Sequence, residues 1–496
     1  MDRREFLKLT AGSVATLVVG SNMPWIFEDP AYATVPVQSI TLRITDAVKE
    51  MITHEPGNND ARCYFWVYRA TVRHASGATF QLPPECPGPN IYATQGESIS
   101  ITIENALDEP HSFYIPGIAN SGRIRPGATK TMVVKAKKSG TYLYYDNLNA
   151  PVNRVMGLHG AFVVMPRQSA PGHKFTPYDR PTPAVQRIYD DFGTTAHWPG
   201  LAWEEGDPAT DTSRFRQHIW LLHEASSRLF AEVGDYTPGL DYPAARFVDA
   251  FQNDPFTPTS DDIRAPGTDA FNKKAQYFTI NGQSGHFAHN NSSVTPMHRV
   301  GEPTLVRVLN AGLHTHSLHI HANHVFVTSV GNVVQQNPLW LDTFTAHPLD
   351  TWEYTVPYMR PPDFPNVRGI GRPDQPLPTV DQLTGVPTGN VAYPPVEEFD
   401  VYQPPIGTLV TKFDGTGLVD IAQRQSPLCY PMHDHSEASQ TAQGGNYNCG
   451  LISGIYFIGD RNTPGWMDFP IEQDFKDMLK LGGGGGGTGP AAGPLP

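Results

Sequence analysis

Two histidine clusters in the C-terminal half of the chain have the spacing expected of a transition-metal site. The first runs from His316 to His321 as His-Ser-Leu-His-Ile-His, and the second is His433-Asp-His435. Each contains a His-x-His pair among residues that favour β-strands, and successive strand side chains point to opposite faces. His319 and His321 therefore share a face, as do His433 and His435. If the two strands are neighbours, four imidazoles meet. This ligand set suits copper, zinc, iron or nickel, and copper(II) binds it most tightly.

Short strands and turns must position these histidines. The 496-residue chain contains 47 prolines and 45 glycines and only 17% charged residues, which indicates many turns and short strands. Residues 34–168 and residues 276–470 are each predicted to form a β-sandwich, and the second carries both histidine clusters. Between them, residues 169–275 are predicted to be a linker and an irregular excursion with the first strands of the second unit, including a strand near Val185. Residues 471–496, which are rich in glycine and proline, are predicted to form a flexible tail.

The first 33 residues have the features of an export signal. Arg3-Arg4 forms a twin-arginine motif, an apolar stretch follows from Leu9 to Gly20, and Ala31-Tyr-Ala33 has the pattern of a cleavage site. The apolar stretch is too short to be a good membrane span. The sequence therefore predicts twin-arginine export and, after cleavage, a periplasmic protein without a membrane span. An ordinary N-terminal helix is the alternative.

The four cysteines have two interpretations in such a compartment. Cys63 with Cys86, and Cys429 with Cys449, could form two disulfides, although four cysteines allow three pairings. Cys429 or Cys449 could instead be a thiolate ligand, because this pair brackets His433 and His435.

Composition and motifs argue against several function classes. The net charge is −13 and no basic stripe is present, so the sequence offers nucleic acid no electrostatic footprint. The chain has no Gly-x-Ser-x-Gly elbow, no phosphate-binding glycine loop and no His-Glu-x-x-His motif. Nucleophilic hydrolysis and nucleotide binding are therefore not indicated.

Five segments in order resemble the multicopper oxidase family. Pro-Gly-Pro-Asn-Ile at 87–91, the strand region 96–107 and Met-Gly-Leu-His-Gly-Ala-Phe-Val-Val-Met at 156–165 resemble the family's first domain. His-Ser-Leu-His-Ile-His at 316–321 is similar to the family's His-Pro-x-His-x-His run, and Met-His-Asp-His at 432–435 stands where the family has Leu-His-Cys-His. The resemblance implies an all-β protein of two, or three, cupredoxin-like Greek-key sandwich domains.

The copper ligands that the resemblance implies are only partly present. The family's blue copper takes a cysteine and two histidines, and eight histidines hold a three-copper cluster. In this chain Asp434 stands at the cysteine position, which leaves His316 without its partners. Tyr114-Ile-Pro116 and Tyr145-Asp-Asn147 replace the two His-x-His pairs of the first domain. Because carboxylate is a poor substitute for thiolate, we expect no blue centre there and fewer than four coppers per chain.

The resemblance and the residues together predict an oxidoreductase with a reduced, non-blue copper site at the domain interface. Its predicted ligands are the four histidines of the two His-x-His pairs, with His316 as a fifth candidate. Asp434 is either a carboxylate beside the site or a hydrogen-bonded structural group. Tyr114 and Tyr145 either contribute to the site or fill the volume of lost ligands.

Several alternatives remain open. The expected reductant is a small molecule or a metal ion, and a homo-oligomer could supply missing ligands from a neighbouring chain. A non-catalytic cupredoxin scaffold of the cell envelope is the alternative function, and structural zinc bound by the same four histidines is the alternative metal site.

Overall fold

Two β-sandwiches account for most of the described structure. The computed structural model describes residues 16–19, 37–51, 61–74, 79–167, 171–174, 176–191, 216–252, 275, 277–284, 288, 294–300, 304–321, 323–356, 377–380, 387–391, 409–411, 418–420, 428–436, 439 and 450–460. The strands of the N-terminal sandwich are β1 (Thr16–Val19), β2 (Val37–Met51), β3 (Ala61–His74), β4 (Thr79–Gln81), β5 (Asn90–Thr94), β6 (Ser98–Asn105), β7 (Tyr114–Ile115), β8 (Ala119–Asn120), β9 (Thr129–Lys135), β10 (Gly140–Tyr145) and β11 (His159–Met165).

The remaining strands form the C-terminal sandwich and two small hairpins. They are β12 (Arg216–Ala225), β13 (Tyr277–Ile280), β14 (Gln283–Ser284), β15 (Met297–Val300), β16 (Thr304–Asn310), β17 (His316–Ile320), β18 (Val325–Val330), β19 (Val333–Leu341), β20 (Thr343–Ala346), β21 (Thr351–Val356), β22 (Leu377–Val380), β23 (Pro387–Val391), β24 (Leu409–Thr411), β25 (Leu418–Asp420), β26 (Leu428–Asp434) and β27 (Ile452–Asp460). The described helices are α1 (Val152–Val155), α2 (Pro183–Asp191), α3 (Ser227–Gly234) and α4 (Ala244–Gln252).

Each sandwich pairs two sheets. In the N-terminal sandwich the sheet β1-β5-β11-β10-β7-β8 packs on the sheet β4-β3-β2-β6-β9, and in the C-terminal sandwich β14-β13-β12-β16-β21-β18-β19 packs on β15-β27-β26-β17-β20. Strand β6 shows why these segments form sheets: Ile99, Ile101 and Ile103 are buried, while Ser100 and Thr102 between them lie on the opposite face. The predicted all-β class with two sandwiches is confirmed.

The two sandwiches pack against each other through one sheet of each. Strands β12 and β16 lie in the middle of the seven-stranded sheet, and every residue of β16 is buried. One face of β12 and β16 points into the C-terminal core. The other, with Leu221 and Leu305, packs against Tyr92, Leu143 and Val163 of the N-terminal sandwich. A strand that is buried on both faces is continuously apolar rather than alternating.

Polar contacts also cross this interface. Arg307 of β16 forms a buried ion pair with Glu353 of β21, and its guanidinium donates to Thr141 Oγ1 at 2.7 Å in the N-terminal sandwich. The Asn332 side chain pairs with the backbone of Thr141, accepting from its N–H and donating to its carbonyl, both at 2.7 Å. The sandwiches are therefore joined by buried charge as well as by apolar packing.

Helices replace irregular chain in part of the expected linker. Val185 lies in helix α2, not in a strand. Pro183 suits the first turn of a helix because that turn leaves its backbone N–H groups unpaired in any case. Helices α3 and α4 occupy part of the range that the sequence predicted to be irregular. Ser226 caps α3 by accepting from the N–H of Leu229 at 3.2 Å.

The predicted disulfide between Cys63 and Cys86 is wrong. Both cysteines are free thiols in the N-terminal core, with 0% and 2% of their surfaces exposed. The predicted Cys429–Cys449 bridge falls on side chains outside the described residues, as does the tail 471–496.

The predicted export signal also lies largely outside the described residues. Its described part, Thr16–Val19, forms edge strand β1, which pairs in parallel with β5. None of the helices among the described residues combines the length and apolarity needed to cross a bilayer.

Candidate metal centre

Two neighbouring strands place the four predicted histidines together. Strands β17 and β26 pair antiparallel, with His319 directly opposite His433. Leu318, Ile320 and Met432 alternate with the histidines and are fully buried in the C-terminal core. Because that alternation fixes which face is buried, the imidazoles project from the opposite face of the sheet.

The four rings form one cluster. The ring of His319 has its centroid 4.8 Å from that of His321, 5.7 Å from His433 and 5.0 Å from His435. The His433 ring is 5.0 Å from both His321 and His435. The Nε2 atoms of His321 and His433 approach to 2.9 Å, so one of them carries a proton and donates to the other. His321 and His435 are exposed, and His319 and His433 are half-buried.

Hydrogen bonds orient two of the rings. His319 Nδ1 donates to Thr343 Oγ1 at 2.9 Å, and His433 Nδ1 donates to the Asp434 carbonyl at 3.1 Å. In both rings Nε2 then carries the lone pair, and in His433 this lone pair accepts from His321 Nε2 at 2.9 Å. Histidine ligands in metal sites are held in this way by a hydrogen bond from the other ring nitrogen.

The cluster favours neutral imidazoles. Partial burial lowers the pKa of His321, and repulsion from the other three histidines lowers it further. The pKa of His433 is lowered by the same two causes, burial first and then His435 and His319. Neutral imidazole is the form that binds a metal ion.

His316 lies apart from this cluster in a buried ion network. Its Nδ1 is 2.6 Å from Asp434 Oδ2, and its Nε2 is 2.7 Å from Glu224 Oε1. Both ring nitrogens are thus engaged by carboxylates, and His316 is not available as the fifth ligand that the sequence suggested. Burial alone would lower the pKa of His316, but Asp434 and Glu224 outweigh it and raise the pKa to about 10. His316 is therefore a buried imidazolium.

Asp434 is a structural carboxylate. Besides His316, it accepts hydrogen bonds from the N–H of Ser317 at 2.7 Å, the N–H of Ser436 at 3.0 Å and the hydroxyl of Ser439. Burial would raise the pKa of Asp434, but His316 and these donors lower it. The contact with Ser317 ties β26 to β17, so Asp434 stabilises the strand pair that carries the four histidines.

The N-terminal sandwich contains a similar buried ion network. His111 Nδ1 is 2.7 Å from Asp146 Oδ2, and both side chains are buried. Its Nε2 lies 3.8 Å from a carboxylate oxygen of Glu109. Burial alone would lower the pKa of His111, and the two carboxylates raise it. Each sandwich therefore contains a buried histidine between an aspartate and a glutamate.

Tyr114 and Tyr145 stand at the positions of the N-terminal sandwich that correspond to His319 and His433 in the C-terminal sandwich. Tyr114 follows His111 by three residues, as His319 follows His316, and Tyr145 directly precedes its aspartate, as His433 precedes Asp434. Tyr145 is paired with Tyr114 across β10 and β7, and their ring centroids lie 5.4 Å apart. None of the ring contacts among the described residues joins these tyrosines to the four histidines. They fill the N-terminal counterpart of the cluster.

A second group of side chains of the types that can bind metals was not predicted from the sequence. The donor atoms of Cys86, His159 and His223 all lie within 4.8 Å of one another. The three residues stand on the loop before β5, at the start of β11 and on β12. Their separation along the chain produces no local motif, and Cys86 was assigned to a disulfide.

The N-terminal sandwich also carries a family signature. Residues 68–169 match the family model described as multicopper oxidase. This segment resembles a multicopper oxidase domain. The match confirms the resemblance and supports a cupredoxin-like fold for the N-terminal sandwich. Cys86, His111, Asp146 and His159 all lie within the multicopper oxidase segment.

A relative and several solved structures are also similar. Multicopper oxidase CTB12 of Cercospora beticola is 31% identical over 98 residues, which cover 17% of this chain and 15% of that protein. A blue copper oxidase from Nitrosomonas europaea is 15% identical with a TM-score of 0.46, covering 89% of this chain and 93% of that one. A copper nitrite reductase from the same organism is 12% identical with a TM-score of 0.41, covering 84% and 92%.

Proposed function

We propose that this protein is an exported, copper-binding oxidoreductase that holds one or two copper ions on the four-histidine cluster. The observation that carries the proposal is the convergence of His319, His321, His433 and His435 on one face of two paired strands. The multicopper oxidase segment makes copper the expected metal, and imidazole ligands suit it. Copper bound there would supply one-electron redox chemistry.

The residues of the chain hold and expose this site. Thr343 and the Asp434 carbonyl orient two of the rings, and the lowered pKa values of His321 and His433 keep those rings neutral near pH 7. Because His321 and His435 are exposed, a small-molecule or metal-ion reductant can approach without a movement of the fold.

A blue centre at the position of Asp434 is not part of the proposal. Its cysteine position is Asp434, which is committed to His316 and three other donors. Because these hydrogen bonds occupy the Asp434 carboxylate, they also favour a second candidate function, a non-catalytic scaffold. In that case the buried ion pairs and the Tyr114–Tyr145 contact would be the remains of metal sites replaced by protein contacts.

Metal analysis with electron paramagnetic resonance (EPR) on the copper-loaded full chain tests the proposal. We expect a non-blue copper(II) signal that is lost in the His433→Ala/His435→Ala double variant. The matched control is His173→Ala, which removes a half-exposed histidine paired with Asp190. Zinc in place of copper at these histidines would leave no EPR signal that depends on His433 and His435 and would contradict the redox function. No metal in any variant would support the scaffold.

Export is a separate part of the proposal. Arg3-Arg4, the apolar stretch and Ala31-Tyr-Ala33 support twin-arginine transport to the periplasm. Cell fractionation of an Arg3→Lys/Arg4→Lys variant tests it: we expect the variant to remain uncleaved in the cytoplasm. Unchanged export and cleavage of the variant would contradict this route.

A further inference from the structure

Cys86, His159 and His223 form a buried cluster where the two sandwiches meet. Their exposed surface fractions are 2%, 0% and 1%, and their donor atoms lie within 4.8 Å of one another. Cys86 and His159 belong to the N-terminal sandwich, and His223 lies on β12 of the C-terminal sandwich. The cluster is thus assembled only when the two sandwiches pack.

Backbone hydrogen bonds fix the tautomer of both histidines. His159 Nδ1 donates to the Arg154 carbonyl at 2.8 Å, and His223 Nε2 donates to the Val155 carbonyl at 2.7 Å. A carbonyl can only accept, so each of these nitrogens carries the hydrogen. The other nitrogen of each ring therefore has a free lone pair. His159 Nε2 directs its lone pair toward Cys86 Sγ, 3.8 Å away.

Neither imidazole of the cluster carries a positive charge that would repel a metal ion. Burial lowers the pKa of His223 to about 4 and that of His159 well below its usual range, so both are neutral. Burial raises the pKa of the Cys86 thiol to about 12. Without a metal, the cluster is a neutral thiol beside two neutral imidazoles.

Aromatic side chains pack against one of the two histidines. The His223 ring lies against Phe65 and Phe230, with centroid distances of 6.3 and 6.4 Å. Gly157 has φ +124°, and a Cβ there would lie 3.2 Å from Cys86 Sγ. A side chain at position 157 would therefore crowd the sulfur, so this close approach requires glycine.

We propose that Cys86, His159 and His223 form a second metal site, separate from the four-histidine cluster, that binds copper through one thiolate and two imidazoles. A set of two histidines and one cysteine in a trigonal arrangement is the donor set of blue copper centres. Structural zinc takes four protein ligands. Among the described residues, no fourth histidine, cysteine or carboxylate joins this group. On binding, the copper–sulfur bond replaces the S–H bond, the proton passes to solvent, and no change of oxidation state is required.

Copper loading of the full chain tests the proposal. The key variant is Cys86→Ser, which is nearly isosteric, and the matched control is Cys63→Ser at a buried cysteine outside the cluster. His223→Gln is a second variant that leaves the thiol in place. Metal content and the thiolate-to-copper(II) charge-transfer absorption are measured for each, with circular dichroism to confirm folding.

We expect the wild-type chain and Cys63→Ser to show the charge-transfer band and Cys86→Ser to lose both the band and one copper per chain. His223→Gln should shift or abolish the band. The His433→Ala/His435→Ala variant should retain it, so failure at the four-histidine cluster and failure here are distinguishable. Equal copper content and no band in Cys86→Ser and Cys63→Ser would overturn the proposal. Zinc that is lost with Cys86→Ser, without a band, would overturn the copper assignment.

Discussion

His223 and Glu224 are neighbours on β12 whose side chains enter different sandwiches. His223 lies beside Cys86 and His159, whereas Glu224 reaches into the C-terminal core, where its Oε1 is 2.7 Å from His316 Nε2. This follows from the alternation of a strand that is buried on both faces. His316 in turn contacts Asp434, which lies between His433 and His435. Two hydrogen bonds and two backbone links, His223–Glu224 and His433–Asp434, therefore connect the Cys86 cluster to the four-histidine cluster.

The network around His316 should make stability depend on pH. The folded pKa of His316 is about 10, above the value near 6.5 of an unfolded histidine. The contribution of His316 to the free energy of unfolding is therefore complete below about pH 6.5 and is lost as the pH rises toward 10. The loss should approach about 1.4 kcal/mol per pH unit within that window. Urea unfolding of metal-free protein between pH 6 and 10 measures it.

His316→Gln provides the control for this dependence. The variant should be less stable at pH 7, because Glu224 and Asp434 lose the positive charge between them, and its stability should fall less steeply above pH 7. An equally steep fall in the variant would show that other groups cause the dependence.

The histidine cluster could be predicted because its signal is local. A His-x-His in a strand fixes the face of both side chains, and the buried Leu318 and Met432 fix which face points outward. The Cys86 cluster could not be predicted, because its residues come from three elements that meet only through packing of the sandwiches. Helix α2 was missed because Val185 favours a strand locally, while packing against β19 selects the helix.

The buried ion pair between Arg307 and Glu353 should be essential to stability. Glu353→Gln would leave the Arg307 guanidinium uncompensated in the interface, where both side chains are almost fully buried. We expect a loss of about 3–5 kcal/mol in the free energy of unfolding. The control is Glu104→Gln, which breaks the exposed pair with Arg43 and should cost less than about 1 kcal/mol. Urea denaturation measures both, and similar small losses would contradict the prediction.

Cys63 and Cys86 should react as thiols without prior reduction. Neither is in a disulfide, so alkylation of denatured, metal-free protein should modify both, as read by peptide mass mapping. In the folded protein Cys63 should react slowly, because it is buried and its pKa is raised to about 12. Modification of either residue only after treatment with a reductant would show that it is oxidised.

Gly157→Ala should destabilise the N-terminal sandwich more than a comparable glycine substitution elsewhere. Gly157 has φ +124°, and a Cβ would lie 2.4 Å from the Trp66 carbonyl, so the backbone itself must move. Gly331→Ala is the control, since that glycine also has positive φ, +58°, but nothing lies within 4 Å of its Cβ position. The control should cost about 1–2 kcal/mol from backbone conformation alone. Gly157→Ala should cost roughly 2 kcal/mol more, because the steric conflict adds to the conformational term. Thermal and urea unfolding measure the loss of stability in the two variants. Equal losses would show that the contact with the Trp66 carbonyl adds no destabilisation.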